Sequence, residues 1–249
     1  LKIRNFMKKT KIIRTHDDFY LKDIRKEKIK KNFKFLYKIL KKNKKINLKN
    51  TNIIDIGCAT GELIYYLKKK FKNANFYGLD VHPKLIDYAK KDPDLSNVDF
   101  SVGNIINTPK KEHFKKYDVV LFIAVHSIWD DIDTWFSNLK KYAKKGSTIY
   151  IFGLFNPNPI DTFVKVRRSG SKNKNLEPGW NLISIQTYKR YFKTKKIKKY
   201  KFYPWEIKIE LPKNNNDLMR SYTQKISKNK YQLTSGIGLI HTVRLLEIK

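Results

Sequence analysis

The run from Ile53 to Glu62 constrains this chain more than any other stretch. It reads Ile-Ile-Asp-Ile-Gly-Cys-Ala-Thr-Gly-Glu: an apolar segment carrying Asp55, glycines at 57 and 61, and then an opening for a helix. A strand buried on both faces of a parallel sheet appears as a continuous apolar run. Glycines after such a strand let the backbone turn sharply and approach a ligand closely. In open α/β sheets, ligands bind in the crevice outside the carboxyl ends of the strands. The segment therefore predicts a strand, a ligand-cradling turn and a crossover helix.

The spacing narrows the ligand. A dinucleotide fingerprint, G-x-G-x-x-G, would need glycine at 57, 59 and 62. The chain has Gly57, Ala59 and Glu62, so it fails at two of three places. The pattern D-x-G-x-G-x-G is met by Asp55, Gly57 and Gly61, with Ala59 in the middle place. Alanine is small enough for the turn, although left-handed backbone is less favourable for it than for glycine. A carboxylate at 55 suits a cationic cofactor and would repel a diphosphate.

Further signals follow in order. Asn75 to Leu79 reads as a second strand, closed by Asp80. An acidic residue about 20 positions past the loop is placed to accept from ribose hydroxyls. Val98 to Val102 leads into Gly103-Asn104-Ile105. Asp118 to Val125 reads as a fourth strand and is followed by His126-Ser-Ile-Trp-Asp-Asp131. Trp135, Phe136, Leu139 and Tyr142 mark a helix, and Thr148 to Phe152 a fifth strand.

In this order the segments resemble the class I S-adenosyl-L-methionine (SAM) methyltransferase family over roughly residues 50–155. The resemblance implies a Rossmann-like α/β fold. Its seven-stranded sheet is mostly parallel with an antiparallel C-terminal strand, and helices cover both faces. It implies SAM as cofactor, held by Asp55, Gly57, Cys58, Ala59 and Gly61. Asp80 would meet the ribose and Val81 the adenine face. Gly103, Asn104 and Ile105 would meet the adenine edge, with Asn104 where the family commonly has an acid. Ile123 closes strand four beside the cofactor. The segment after strand four lies near the transferable methyl in this family. His126 is thus the candidate general base, and Asp130 its candidate orienting partner. Asp130 and Asp131 are also candidates to cap the next helix.

Charge separates the chain into three parts. The formal net charge is +33, from 55 basic and 22 acidic residues. Residues 1–50 carry +15, residues 51–164 carry +2, and residues 165–249 carry +16. Lysine outnumbers arginine 47 to 8, which fits compositional drift more than base-specific readout. Drift alone would act evenly, so the uneven field points to an anionic partner near the flanks. We expect residues 1–50 to form a basic helical extension and residues 51–249 the methyltransferase domain. Its cofactor half would be 51–155 and its acceptor-side half 156–249.

In the extension, Phe33, Leu36, Tyr37 and Leu40 follow a helical stripe, and Asp17 or Asp18 is a candidate cap. On the acceptor side, Gly153 to Ile160 holds two prolines and leaves the sheet's carboxyl edge, which makes Asn156 a candidate acceptor contact. Arg167 and Arg168, adjacent among scarce arginines, are candidates for an anionic acceptor. Lys196–Tyr203, Trp205–Leu211 and Leu239–Ile248 read as strands, with the last pair of the sheet expected as an edge hairpin.

No apolar window is long enough for a membrane span, and no signal-peptide-like stretch opens the chain, so the cytoplasm is expected. The single Cys58 excludes an internal disulfide, and the scattered histidines give no metal site. The expected activity is methyl transfer to O or N of a small or conjugated metabolite, anionic in type, such as a nucleotide- or lipid-linked sugar. RNA, drawn by the basic flanks and their aromatics, is the alternative acceptor. A SAM-binding regulator without chemistry is the third reading. The Asn-Pro-Pro-Tyr tetrapeptide of nucleic-acid amino methylation is absent.

Overall fold

The computed structural model describes residues 19–21, 26, 28–172 and 175–249. Asp17 and Asp18, the candidate caps, lie outside these residues. The first described helix, α1, spans Lys31–Leu40 and has no side-chain cap.

Strands and helices then alternate. They are β1 (Thr51–Ile56), α2 (Glu62–Lys68), β2 (Ala74–Asp80), α3 (Pro83–Lys91), β3 (Asp99–Val102), β4 (Tyr117–Ile123), α4 (Ile132–Tyr142) and β5 (Ala143–Asn156). The acceptor-side half adds β6 (Lys165–Val166), β7 (Glu177–Pro178), β8 (Ile183–Ser184), α5 (Ile185–Thr194), β9 (Tyr200–Trp205), β10 (Tyr222–Ser227), β11 (Lys230–Thr234) and β12 (Val243–Ile248). The main sheet runs β3-β2-β1-β4-β5-β12-β9, and the short β8 pairs with the end of β5. Neighbours from β3 to β5 are parallel. β12 is antiparallel to both β5 and β9. The expected architecture is present, with one short strand added.

Alternation along the buried strands explains the two helical layers, because successive side chains point to opposite faces. Ile53, Val119 and Leu121 pack with α1, α2 and α3 residues such as Leu36, Leu63 and Ile86. Ile54, Val120 and Phe122 pack with α4 and α5 residues such as Trp135, Leu139 and Tyr188. The helical stripe of the extension is buried at Phe33, Leu36 and Leu40, so α1 is part of the core.

Three expectations need correction. Trp205–Leu211 is not a second strand, because regular pairing stops at Trp205 and the chain leaves the sheet. The last two strands of the sheet are not a simple edge hairpin. The β10–β11 ribbon lies between them in sequence, and β12 is interior while β9 is the edge. The fifth strand runs on to Asn156, since β12 offers it a partner as far as Leu154.

Ala59 also departs from sequence-based preference. It adopts φ +48°, the left-handed region, between Gly57 and Gly61 at φ +80° and +81°. A side chain there costs about 1–2 kcal/mol relative to ordinary backbone, and the loop's other bonds hold it in place. At Gly57 a Cβ would lie 2.4 Å from Val125 Cγ2. Gly57→Ala is therefore expected to cost about 2 kcal/mol or more. Ala59→Gly should be neutral or stabilise by up to about 1 kcal/mol. Urea unfolding of both variants checks the pair, and a Gly57→Ala protein as stable as the parent contradicts this loop geometry.

Candidate active site

A crevice opens where β1, β2 and β4 end. Its floor is the turn after β1. Gly57 and Cys58 N–H both donate to Leu79 O, at 2.7 and 3.1 Å. Asp80 completes the brace: one carboxylate oxygen accepts from Ala59 N and the other from His82 N, each at 2.9 Å. Asp80 thus holds two loops before any ligand arrives, a role that the spacing of the sequence did not reveal.

Asp55, Gly57, Cys58, Ala59, Asp80, Val81, Gly103, Asn104, Ile105 and Ile123 all line this crevice. Gly61 does not. Its missing Cβ leaves room for Leu95, whose Cδ1 would be 2.7 Å away, so its place is at the entry to α2, behind the turn. Asn104 Oδ1 already accepts from Ile106 N at 3.2 Å and braces its own turn.

Asp55 is buried, and its Oδ1 has no hydrogen-bond partner among the described residues. Burial first, and the nearby Asp80 charge second, push its carboxyl up to about 8. A buried carboxyl with one unpaired oxygen beside a second acid is a candidate partner for a cation. Burial also holds the Cys58 thiol well above its ordinary range, so it is an inert wall.

The outer wall comes from the N-terminal segment. Tyr20, Lys30, Asn32 and Phe33 line the crevice. Lys30 pairs with Glu62 at the start of α2. Lys26 pairs with Asp92 at 2.5 Å and Asp94 at 2.9 Å, which straps the segment across α2 and α3. The helical stripe of α1 signalled docking, but not these polar contacts.

The structure moves five candidate residues, His126, Asp130, Asn156, Arg167 and Arg168, away from the crevice. His126 does not line it. The ring is 2 % exposed, stacks on Phe155 at 4.6 Å, and pairs through Nδ1 with Tyr188 Oη at 3.0 Å. Burial pulls its pKa down to about 3, so it is neutral and enclosed, not a base in contact with an acceptor. Asp130 does not orient it; its carboxylate pairs with Lys165 at 2.6 Å and accepts from Asn181 Nδ2 at 2.9 Å. Capping of α4 falls to Asp131, which accepts from Asp133 N and Thr134 N. Asn156 folds back on its own loop, donating to Ile160 O at 2.8 Å. Arg167 and Arg168 are exposed and lie outside the crevice. Sequence spacing carried no signal for side-chain direction at these positions. Among the described residues no group of metal-ligating side chains is present.

The comparisons with known proteins decide the family. A methyltransferase-domain family model matches residues 47–192, more than half of the chain. The chain belongs to the class I SAM-dependent methyltransferases. It is 31% identical over 141 residues to malonyl-[acyl-carrier protein] O-methyltransferase 2 of Ilyobacter polytropus, covering 56% of this chain and 52% of the relative. It is 36% identical over 96 residues to a tRNA (guanine-N(7)-)-methyltransferase of Prochlorococcus marinus, covering 37% of this chain and 43% of the relative. The chain thus spans about half the length, or less, of these curated relatives. Among solved structures, a chain of the complex between the Haloferax volcanii Trm112 methyltransferase activator and a methyltransferase shares the fold. It has TM-score 0.62 and 14% identity, and the match covers 95% of this chain and 98% of that one. The methyltransferase's cofactor is SAM, and the crevice lies on the carboxyl side of the sheet, where nucleotides bind in such folds.

The buried titratable groups give this methyltransferase a distinctive stability profile. His126 at about 3 and His241 at about 4 lie below the ordinary 6.5, both through burial. The unfolded chain takes up protons these histidines refuse, so stability is lost as pH falls below 6.5. Asp55 has the opposite sign: raised from 3.8 to about 8, it keeps a proton the unfolded chain releases, so stability falls as pH rises between those values. Two histidines outweigh one carboxyl below 6.5, and Asp55 acts alone above it. Thermal melting should therefore peak near pH 6.5, and Asp55→Asn should remove the alkaline decline. A melting curve that still rises through about pH 8 would contradict the assignment.

Proposed function

We propose that this methyltransferase transfers the methyl group of SAM to O or N of a small or conjugated, anionic metabolite. The observation that carries this reading is the division of the crevice. Carboxyls Asp55 and Asp80 lie at the ends of β1 and β2, while the lining residues that follow β4 are apolar and Lys30 comes from the N-terminal segment.

The residues fit the cofactor. The orphaned Asp55 oxygen is a partner for a cationic group, and the turn from Gly57 to Ala59 presents backbone beside it. In this proposal Asp80 meets the ribose hydroxyls, and Val81 lies on the adenine. Asn104, beside Gly103 and Ile105, keeps its side-chain amine and one lone pair for the adenine edge. Cys58 and Ile123 complete the walls. The cofactor supplies a methyl carbon already activated by a sulfonium. The protein's task is alignment, which contributes up to roughly 7–11 kcal/mol in the best intramolecular cases.

For the acceptor, the support is the +33 charge and the crevice-lining Phe33, Lys30 and Trp129. An anionic acceptor is drawn in by such a field. The extension and the acceptor-side half, 156–249, are proposed to form the rest of its site. The named activities of the relatives, on a malonyl-[acyl-carrier protein] and on tRNA guanine, fit a conjugated or an RNA acceptor respectively. RNA remains the second reading, favoured by the charge of the flanks. Salt separates the two. RNA binding should weaken steeply between roughly 50 and 200 mM salt, whereas turnover of a small acceptor should change little.

The cofactor assignment has its own test. Below its pKa of about 8, Asp55 must lose a proton to face a cation. SAM affinity should rise roughly tenfold per pH unit between about pH 6 and 7.5 with proton release, and Asp55→Asn should weaken binding and flatten the dependence. Calorimetry in two buffers measures both. Affinity independent of pH, without proton release, would remove Asp55 from the site.

A further inference from the structure

Trp129 follows β4 and lines the crevice, and its indole N–H is shielded from solvent without an acceptor among the described residues. An indole nitrogen only donates. Buried indoles normally find a partner; Trp180 does so, donating to Met219 O at 3.0 Å. An unmatched donor of this kind lacks the acceptor that a ligand oxygen would supply.

Its backbone is held in place. Asn181, 1 % exposed, donates from Nδ2 to Trp129 O at 3.0 Å and Asp130 Oδ1 at 2.9 Å. Its Oδ1 accepts from Val164 N at 2.7 Å, and its backbone N–H donates to Ser127 O at 2.7 Å. This one side chain ties the segment after β4 to the acceptor-side half. Asn181 is a positioning residue for Trp129.

The chemistry of that wall is one-sided. Its other crevice-lining residues from Phe122 onward are Ile123, Ala124, Val125 and Ile128, none of which titrates. The one histidine of the run, His126, is enclosed between Phe155 and Tyr188. Asp55, Asp80 and His82 lie instead at the ends of β1 and β2, Tyr20 belongs to the N-terminal segment, and Glu62 is paired with Lys30. A hydroxyl or a protonated amine needs a base to free its lone pair. A donor aimed at a neutral amine would occupy the very electrons that must attack. A carboxylate has neither difficulty: it has no proton to lose, and a second oxygen to be held.

Building on the methyltransferase reading above, we propose that the acceptor is a carboxylate, and that the Trp129 indole N–H holds the carboxylate oxygen that does not attack. The other oxygen donates its lone pair to the methyl carbon and forms the O–C bond. The C–S bond breaks, and its electron pair goes to sulfur. A methyl ester and S-adenosylhomocysteine result. The carboxylate's negative charge and the sulfonium's positive charge cancel, and no proton moves.

The test uses the full chain labelled with nitrogen-15 and saturated with S-adenosylhomocysteine, with octanoate as probe. Octylamine and octanol carry the same chain with other head groups. The indole N–H signal that disappears in Trp129→Phe should move downfield with octanoate, more than the other indole signals, and stay put with octylamine and octanol. By calorimetry, Trp129→Phe should bind octanoate about tenfold more weakly and S-adenosylhomocysteine as the parent does. An unmoved Trp129 signal, an equal shift with octylamine or octanol, or unchanged octanoate affinity in the variant overturns the proposal. The parent's own preference for octanoate over octylamine is measured without any variant, and its absence also overturns it. Failure to bind S-adenosylhomocysteine in the same samples is a distinct result, which sinks the cofactor reading itself.

Discussion

Two hydrogen bonds from backbone to one carboxylate organise the site. Asp80, at the end of β2, accepts from Ala59 N and from His82 N. The first bond pins the turn after β1; the second fixes the start of α3. Charge-assisted bonds of this type are among the stronger ones a buried carboxylate makes. They are needed, because Ala59 occupies left-handed backbone that an alanine enters only at a cost. With the turn pinned, Gly57 meets Val125 without a gap for a side chain, and the ends of β1, β2 and β4 close into one crevice.

The same carboxylate sets the electrostatics. Its charge, added to burial, keeps the neighbouring Asp55 carboxyl protonated at neutral pH. Two acids that cannot both ionise cheaply alone are readily ionised together once a cation sits between or beside them. A cofactor carrying a sulfonium and an ammonium supplies that cation. The crevice-lining residues that follow β4 do not titrate, so the crevice is acidic where the cofactor is proposed and apolar with one indole donor where the acceptor is proposed. Alignment, and not proton transfer, is then the chemistry this wall serves.

The N-terminal segment shows how a basic flank is used locally. Lys26 and Lys30, two of many lysines, are spent on Asp92, Asp94 and Glu62. Two of these pairs are part-buried, with the Asp92 and Glu62 side chains 4 % and 11 % exposed. Their effect here is geometric: they lay the segment along α2 and α3, and α1 buries Phe33 and Leu36 against the same layer. The outer wall of the crevice follows from that docking.

The sequence alone determined the sheet, the helices on its two faces and the cofactor turn. Each rests on local periodicity, on the Asp-Gly spacing and on residues near one another in the chain, and these survive without knowledge of packing. His126 shows where such reading stops. It follows β4 at the expected place, yet its ring enters the aromatic layer with Trp135, Phe155 and Tyr188, all distant in sequence or on other elements. Trp129, three residues on, remains at the crevice because Asn181 crosses from the acceptor-side half to hold its carbonyl. Asn156, Arg167 and Arg168 had suitable chemistry, but their loops turn them elsewhere. Only the tertiary structure decides which side of a wall a side chain faces, because that choice is made by packing and hydrogen bonds between segments the chain brings together last.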